Sequence, residues 1–512
     1  MRLIKISDKQ TIIFLVLVSY LIRIVLSPFF IMFPHVPHDF YAYVGSGKCM
    51  VEGNYLKFVC VEWGGRQDEI LEYGPFFGTL MMFWYLLFGE FNFFMFKIPS
   101  IIFDTLNVLM IYFIGKKLFD KKLAFYLSLL YCFSFIVLYN SAVLGNDDNI
   151  SMFFVLGSLY FLIDKKLSTS AIFSSISIMF RIIGIVSLPA VFYYIFRKYG
   201  LNALFKYALL LGVVSFIFLS PFILITGPEK ALYSFYHPTY TKQMSSFMSF
   251  YIIFEYITNI NVDFLIMPIF ILSYLVTFCL FFIRKLKNHE MELFRNITLF
   301  WIASLLFGGL LTAAQQYLIF IFLLFAMGYH IKKKHTTIQI IGSILIFISL
   351  LVLSIIYRWD VVQYSSVDRI LLLSITITSP LGIFLLLNNV KMNYRVIWTF
   401  IILAVVMWET SAAASLLILP LENIANLFDQ FISINRFTVI QNRFGDHIQG
   451  NPEMFLAYGI LYGGSSVILW ICLILLYYTL LRERQVRDGD EYFRSGRRAK
   501  ILKKLNKFYS IA

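Results

Sequence analysis

An all-α integral membrane protein of many spans is the fold class that the sequence predicts, and three observations predict it. Of 512 residues 60% are hydrophobic and 19% aromatic, while only 14% are charged, against roughly 25% in a soluble domain. Hydrophobic runs recur from Thr11 to Leu481 with no polar block between them long enough to fold alone. The formal net charge of +14 resolves into short Lys/Arg clusters between those runs. That is the excess of cytoplasmic membrane loops rather than of a nucleic-acid surface. No soluble chain of this length could enclose so much apolar surface, so one polytopic membrane domain is expected.

A bilayer core about 30 Å thick needs roughly 20 apolar residues per helix, and about 14 runs meet that measure. They lie near 11–33, 93–115, 122–140, 149–163, 167–181, 183–196, 202–226, 263–283, 293–311, 316–331, 337–357, 368–388, 395–416 and 456–481. Lys116, Lys117, Lys121 and Lys122, then Lys165 and Lys166, Arg197 and Lys198, Arg284, Lys285 and Lys287, and Lys332 to Lys334 fall on alternate connections. The positive-inside rule makes these cytoplasmic, together with Met1 and the C-terminal tail. The tail from Arg482 to Ala512 holds ten Lys/Arg against four Asp/Glu, a composition suited to lying on anionic lipid. Basic residues before the first run resemble a signal peptide. The run continues for about 20 residues without a small-residue cleavage site, so it is expected to stay as a signal anchor.

The opposite connections are external, and 34–92, 227–262 and 417–455 are long. Tyr73-Gly74-Pro75-Phe76-Phe77 opens an apolar run to Phe88 that hydropathy alone could count as a span. Counting it would put Lys116–Lys122 outside. A pair of interfacial, re-entrant helices bounded by Gly74-Pro75 and Gly89 keeps every basic loop inside. Cys132, Cys279 and Cys472 sit in expected spans as packing residues. Cys49 and Cys60 share the external loop, eleven residues apart, and an oxidising compartment permits a disulfide between them. No zinc, Walker or dinucleotide fingerprint occurs.

Charged groups at membrane depth or at its edge are the first candidates for chemistry. Asp39, in Pro34-His35-Val36-Pro37-His38-Asp39-Phe40-Tyr41, opens a helix-like stretch to Met50. A carboxylate there suits a helix cap and equally a base held at the membrane surface. Gly145-Asn146-Asp147-Asp148-Asn149 stands at the external end of the third span. Its adjacent carboxylates repel unless a cation or a proton intervenes, though Asp148 or Asn149 also suits a cap for the fourth span. Arg181, in Phe180-Arg181-Ile182-Ile183-Gly184, lies in an external hairpin between apolar runs. It needs an anion, either a structural carboxylate such as Asp147 or Asp148 or a ligand phosphate. Thr312-Ala313-Ala314-Gln315-Gln316-Tyr317, at another external hairpin, offers amides and a phenol to sugar hydroxyls. Weaker signals are His237, Tyr240 and Lys242, and Arg436, Arg443, Asp446 and His447, residue types that in loops are more often solvated than ligands.

The strong polar groups thus gather on one side, with none mid-span. That argues against an ion-coupled transporter, whose ionisable residues sit near the midplane. A multi-pass lipid or oligosaccharide transporter or flippase remains the alternative; it needs a continuous polar path, toward which Glu409 is an exception among apolar spans. A structural subunit without activity would leave Asp39, Asp148 and Arg181 scattered in space.

These motifs, in this order, resemble the polytopic GT-C glycosyltransferases, which use polyprenyl-phosphate sugars. The acidic residue after the first span corresponds to Asp39, and the external juxtamembrane Tyr/Pro motif to Glu72-Tyr73-Gly74-Pro75-Phe76-Phe77, followed by Gly89. Lys97-Ile98-Pro99-Ser100 is similar to the Arg-x-Pro-Ser that opens the family's second span, and Gly115-Lys116-Lys117-Leu118-Phe119-Asp120 to its basic turn. The second acidic motif corresponds to Gly145-Asn146-Asp147-Asp148. The Lys-Gly hairpin corresponds to Arg181 through Gly184, with Arg in place of Lys and two residues inserted before Gly. Gln315-Gln316-Tyr317-Leu318-Ile319-Phe320 is similar to a Gln-Tyr motif of dolichyl-phosphate-mannose users. The resemblance covers roughly residues 1–330.

The resemblance implies a catalytic transmembrane module at 1–330 including loop 34–92, variable C-terminal spans at 331–481 with loop 417–455, and the basic tail at 482–512. It implies glycosyl transfer with inversion from a polyprenyl- or dolichyl-phosphate donor to a hydroxyl on a glycan, lipid or protein acceptor, with mannose suggested by the Gln-Tyr motif. Asp39 would be the general base. Asp147 and Asp148 would orient the acceptor or share a divalent cation, Mg2+ or Mn2+, with Asp39. Arg181 and Lys242 would hold the donor phosphate. His38, Tyr73, His237, Gln315, Gln316 and Tyr317 would contact substrate, and Trp63, Tyr73 and Tyr236 would stack on sugar rings or anchor at the interface. No nucleic-acid partner is expected. The Lys/Ile/Phe-rich usage suits an AT-rich prokaryotic genome, archaeal included, and hence a prokaryotic plasma membrane with the site outside.

Overall fold

The computed structural model describes residues 7–27, 38–53, 74–89, 93–138, 141–142, 145, 147–229, 231–232, 263–283 and 288–307, with isolated positions at 321–322, 324–325, 328 and 474. Every regular element among these is helical. They are α1 (Asp8–Leu26), α2 (His38–Val51), α3 (Pro75–Phe88), α4 (Phe93–Leu118), α5 (Lys121–Cys132), α6 (Phe135–Leu138), α7 (Asp148–Ile163), α8 (Leu167–Phe180), a 3-10 helix (Ile182–Ser187), α9 (Leu188–Tyr199), α10 (Leu201–Thr226), α11 (Asp263–Ile283) and α12 (His289–Phe307). The expected all-α fold holds over these residues. α1, α4 from Met95, and α10 are long and apolar enough to cross a bilayer. α10 exposes Leu201, Phe205, Phe216 and, at 85%, Leu224. An apolar face of that size calls for lipid around it. Apart from the isolated positions, the spans expected at 316–331 and beyond, loop 417–455 and the tail lie outside the described residues.

Several expected span edges move, for local reasons. The run at 122–140 breaks: α5 ends at Cys132 and the four-residue α6 follows at Phe135. The sixth span begins at Leu188 rather than 183, because residues 182–187 form the 3-10 turn and Pro189 sits in the first turn of α9, where a missing N–H costs nothing. α12 starts at His289 instead of 293. Hydropathy misses that polar first turn, which Asn288 caps through its side-chain oxygen, 3.0 Å from the Met291 N–H, and which the Lys198–Glu290 pair ties to α9.

The apolar run at 75–88 is a 14-residue helix between Gly74 and Gly89. Its length of about 21 Å matches that of α8, also 14 residues, so length alone does not make it interfacial. Ion pairs fix the parity independently. Lys116, at the end of α4, and Lys121, at the start of α5, both pair with Asp8 at the start of α1, the latter at 2.8 Å. Had α3 crossed the membrane, those lysines would stand at the opposite end from Asp8. Lys117 and Lys166 likewise meet at Asp164, between α7 and α8. The Lys116–Lys122 and Lys165–Lys166 clusters and the Asp147–Asp148 motif therefore occupy opposite ends of one bundle. Of the cysteines, Cys49 is disulfide-bonded, with its partner outside the described residues. Cys132 is buried as expected, but Cys279 is exposed rather than packed.

Lipid supplies no hydrophobic drive between helices, so small residues and hydrogen bonds hold them. α7 and α8 show this as a serine seam. Ser151 and Ser177 hydroxyls lie 2.9 Å apart, and Ser158 contacts Ser170 and Ser174 at 2.9 and 2.7 Å, with Tyr207 of α10 closing on Ser174 at 2.9 Å.

The expectation that no strong charge lies mid-span is overturned in α4. Asp104, halfway along it, pairs with Arg23 of α1 at 2.6 Å and accepts from the Tyr131 hydroxyl of α5 at 2.6 Å, both charged side chains fully enclosed. The Arg23 Nη1 group also donates to the Ser19 hydroxyl at 2.7 Å. Burial makes each charge depend on the other, because either alone would be stranded in an apolar medium. Asp104→Ala should therefore destabilise the protein by about 3–5 kcal/mol in reversible unfolding in detergent, while Arg23→Met combined with Asp104→Leu should recover most of the loss. A double variant worse than Asp104→Ala would show that the pair itself is stabilising. At the other end, Lys117 and Lys166 hold the Asp164 carboxyl below its ordinary 3.8. A depressed value means the tie is complete above that pH and is lost as pH falls further. Asp164→Asn should flatten the acid limb of a melting-temperature profile taken below pH 5.

Candidate functional site

At the end of the bundle away from the lysine clusters, four sequence motifs meet around the first turn of α7. Asp147 is its N-cap residue yet makes no side-chain cap bond, and Asp148 is the first helical residue. Neither carboxylate is spent on capping; both face Arg181, the residue that ends α8. Its Nε lies 2.7 Å from Asp148 Oδ1, and its Nη1 lies 3.2 and 3.3 Å from the two oxygens of Asp147. One planar guanidinium thus spans two adjacent carboxylates, which is the geometry Arg supplies and Lys cannot. Asp148 is wholly buried and Asp147 nearly so, while Arg181 keeps 16% of its side chain exposed. The triad carries a net charge of −1, partly balanced by the positive end of α7.

The flanking motifs set this geometry. Gly145 has a φ of +71°, and a Cβ there would stand 2.8 Å from Lys97 Cγ, so the bend into the acidic motif needs glycine. Lys97 is buried with its ammonium 2.9 Å from the Ser27 carbonyl, tying α4 to the end of α1. Gly74 donates its N–H to the Phe180 carbonyl at 3.1 Å, and a Cβ on it would fall 2.0 Å from the Met179 oxygen. The Gly74-Pro75 motif is therefore seated on the two residues before Arg181.

α2 reaches the same place through Tyr43. Its hydroxyl donates to Asp147 Oδ1 at 3.0 Å and accepts from the Asp147 N–H at 3.3 Å. His38 and Asp39 are the first residues of α2, and Asp39 stands one turn before Tyr43 in register; their side chains lie outside the described residues. So do Trp63, Tyr73, Tyr236, His237, Tyr240, Lys242, Gln315, Gln316, Tyr317, Cys60 and the 436–447 group. Sequence reasoning missed Tyr43, although its position four residues after Asp39 was a usable signal. It also missed the bond from the Asn107 amide of α4 to the Asn149 carbonyl of α7, which joins residues 42 apart in sequence. Among the described residues no group of three His, Cys, Asp or Glu could hold a metal ion. Of the expected metal set, Asp147 and Asp148 both bond Arg181, and the Asp39 side chain lies outside the described residues.

Residues 73–225 match the family model of dolichyl-phosphate-mannose-protein mannosyltransferases. The match is confined to this segment. It begins at the Tyr/Pro motif, ends in α10, and contains Gly74, Lys97, Asp147, Asp148 and Arg181, the residues that converge here. Among solved structures, the chain is similar to the ArnT of Cupriavidus metallidurans bound to undecaprenyl phosphate, with 13% identity, a TM-score of 0.47, and coverage of 94% of this chain and 80% of that one. Against the apo form of that protein the figures are 13%, 0.45, 92% and 77%. No curated protein matches the chain.

The 2.0 Å approach at Gly74 leads to a direct expectation. Gly74→Ala should push α3 off α8 and cost about 1–3 kcal/mol, whereas Gly212→Ala, with open space around it, should leave thermal unfolding unchanged or raised. Equal melting temperatures for Gly74→Ala and wild type would refute the close seat.

Proposed function

We propose that the protein is a membrane glycosyltransferase of GT-C type that moves a sugar from a polyprenyl-phosphate donor, of the dolichyl or undecaprenyl class, to an acceptor hydroxyl. The observation that carries the reading is the single guanidinium laid across two buried carboxylates, with α2 brought onto one of them, Asp147, by Tyr43. The mannosyltransferase match over residues 73–225 supports it, and mannose is the sugar we assign.

Asp39, one turn before Tyr43 in α2, is assigned as general base. The acceptor oxygen attacks the anomeric carbon, its proton passes to the Asp39 carboxylate, and the bond to the phosphate oxygen breaks on the opposite face with inversion. The phosphate departs with the bonding electrons. Arg181, held by its two carboxylates in a fixed orientation and still 16% exposed, offers pre-organised positive charge to that phosphate. Lys242 is assigned the same role from the second long loop. Asp147 and Asp148 orient Arg181 and the acceptor; with Asp39 they are the residues that would hold a divalent cation, which would neutralise charge on the leaving group. His38, Tyr73, His237, Gln315, Gln316 and Tyr317 are assigned to sugar and acceptor contacts. The external side is assigned from the lysine clusters at the other end and from the disulfide at Cys49.

A transporter would claim the intramembrane Arg23–Asp104 pair. Both side chains are fully enclosed and bonded to each other, which is the arrangement of a structural tie rather than of a path.

Membranes carrying the wild-type chain should transfer radiolabelled sugar from polyprenyl-phosphate donors. Asp39→Asn should lower kcat by about 100-fold or more, and Arg181→Ala by a similar factor, with added Mg2+ or EDTA reporting any metal requirement. Equal transfer by wild type and Asp39→Asn would remove Asp39 from the chemistry.

A further inference from the structure

α4 carries a polar stripe where a lipid-embedded helix would be expected to be apolar. Lys97, Ser100, Asp104 and Asn107 recur at spacings of three and four residues, so they share one face of the helix. All four are buried. Two of them grip the same residue of α7: Ser100 Oγ accepts from the Asn149 amide at 3.2 Å, and the Asn107 amide donates to the Asn149 backbone carbonyl at 3.0 Å. Asn149 is therefore held by both its side chain and its main chain. Between the two grips sits Asp104, fastened to Arg23 of α1 and Tyr131 of α5.

Asn149 directly follows Asp148 in the first turn of α7, where backbone N–H groups have no partners in the preceding turn and rotation is least restrained. We propose that Asn149 is a positioning residue, and that the Ser100 and Asn107 grips on it fix the rotation of the first turn of α7 so that Asp148 meets Arg181. This rests on the glycosyl-transfer reading for its consequence, though not for its geometry. The Arg23–Asp104 pair is the deep anchor of the stripe. A cap role for Asn149 does not account for the contacts, because its amide bonds another helix and the N-cap position belongs to Asp147.

Substitutions at either side of the grip test this. Asn149→Ala and Ser100→Ala should each lower kcat about three- to tenfold, the scale of one hydrogen bond, with KM for the polyprenyl-phosphate donor unchanged. The pair of substitutions together should be no worse than either alone. Ser100→Thr, which keeps the hydroxyl, should restore kcat. Hydrogen exchange on the full chain should quicken over residues 147–154 in both alanine variants and stay constant in the rest of α7. Wild-type kcat in Asn149→Ala, additive losses, or a fall in folded protein with kcat per folded molecule intact would each overturn the proposal. Absence of sugar transfer by the wild type would sink the glycosyltransferase reading instead. The exchange measurement would then decide the positioning role, with unchanged exchange at 147–154 overturning it.

Discussion

The contact on which the site depends is the guanidinium of Arg181 laid across Asp147 and Asp148. Two adjacent buried carboxylates without a cation would force one to take up a proton. With the guanidinium in place the first turn of α7, the end of α8 and, through Tyr43, α2 are drawn to one point. The other motifs serve that contact: Gly145 lets the chain bend past Lys97, and Gly74 lets α3 sit on the backbone just before Arg181. The distances around the triad are therefore a property of four helices rather than of a loop.

The medium explains the rest of the packing. A helix such as α10 can leave large apolar side chains facing outward, because in lipid there is nothing to gain by hiding them. Cohesion has to come from polar contacts instead, and α7, α8 and α10 use serines and Tyr207, while α1, α4 and α5 use one ion pair with Tyr131. The lysine-rich ends, paired through Asp8 and Asp164, hold the opposite end of the bundle.

Much of this was legible in the sequence, and the physical reasons for the failures differ. Periodic hydropathy places α10 and α11 within a residue, since nothing competes with a continuous apolar run. It misplaces α9 and α12, whose first turns are set by a proline and by Glu290 with Lys198, features that hydropathy averages away. Asp147, Asp148 and Arg181 stood out because charge beside an apolar run is rare. Their joining was foreseen as one option because the opposite charges were visible. Arg23 and Asp104 carry the same signal but were passed over, because nothing local points to a partner 81 residues away. Tyr43 escaped because a neutral polar residue leaves no such signature, and Asn149 was legible only as a cap; the close approach of α2 and α4 to α7 gives both their contacts.

The ion pair between α1 and α4 has a consequence for how deep the chain sits in the membrane. A lone arginine or aspartate within a span is costly in lipid, so α1 and α4, each apolar enough to span, sit in a bilayer at lower cost as a pair. Lys97 and the Ser100–Asn107 stripe make α4 still more dependent on neighbours. The pair ties the depth of the first helix to that of a segment 81 residues further along the chain, by the separation of Arg23 and Asp104. Because α7 is bonded to α4 through Asn149, the depth of its acidic motif is tied to the same pair.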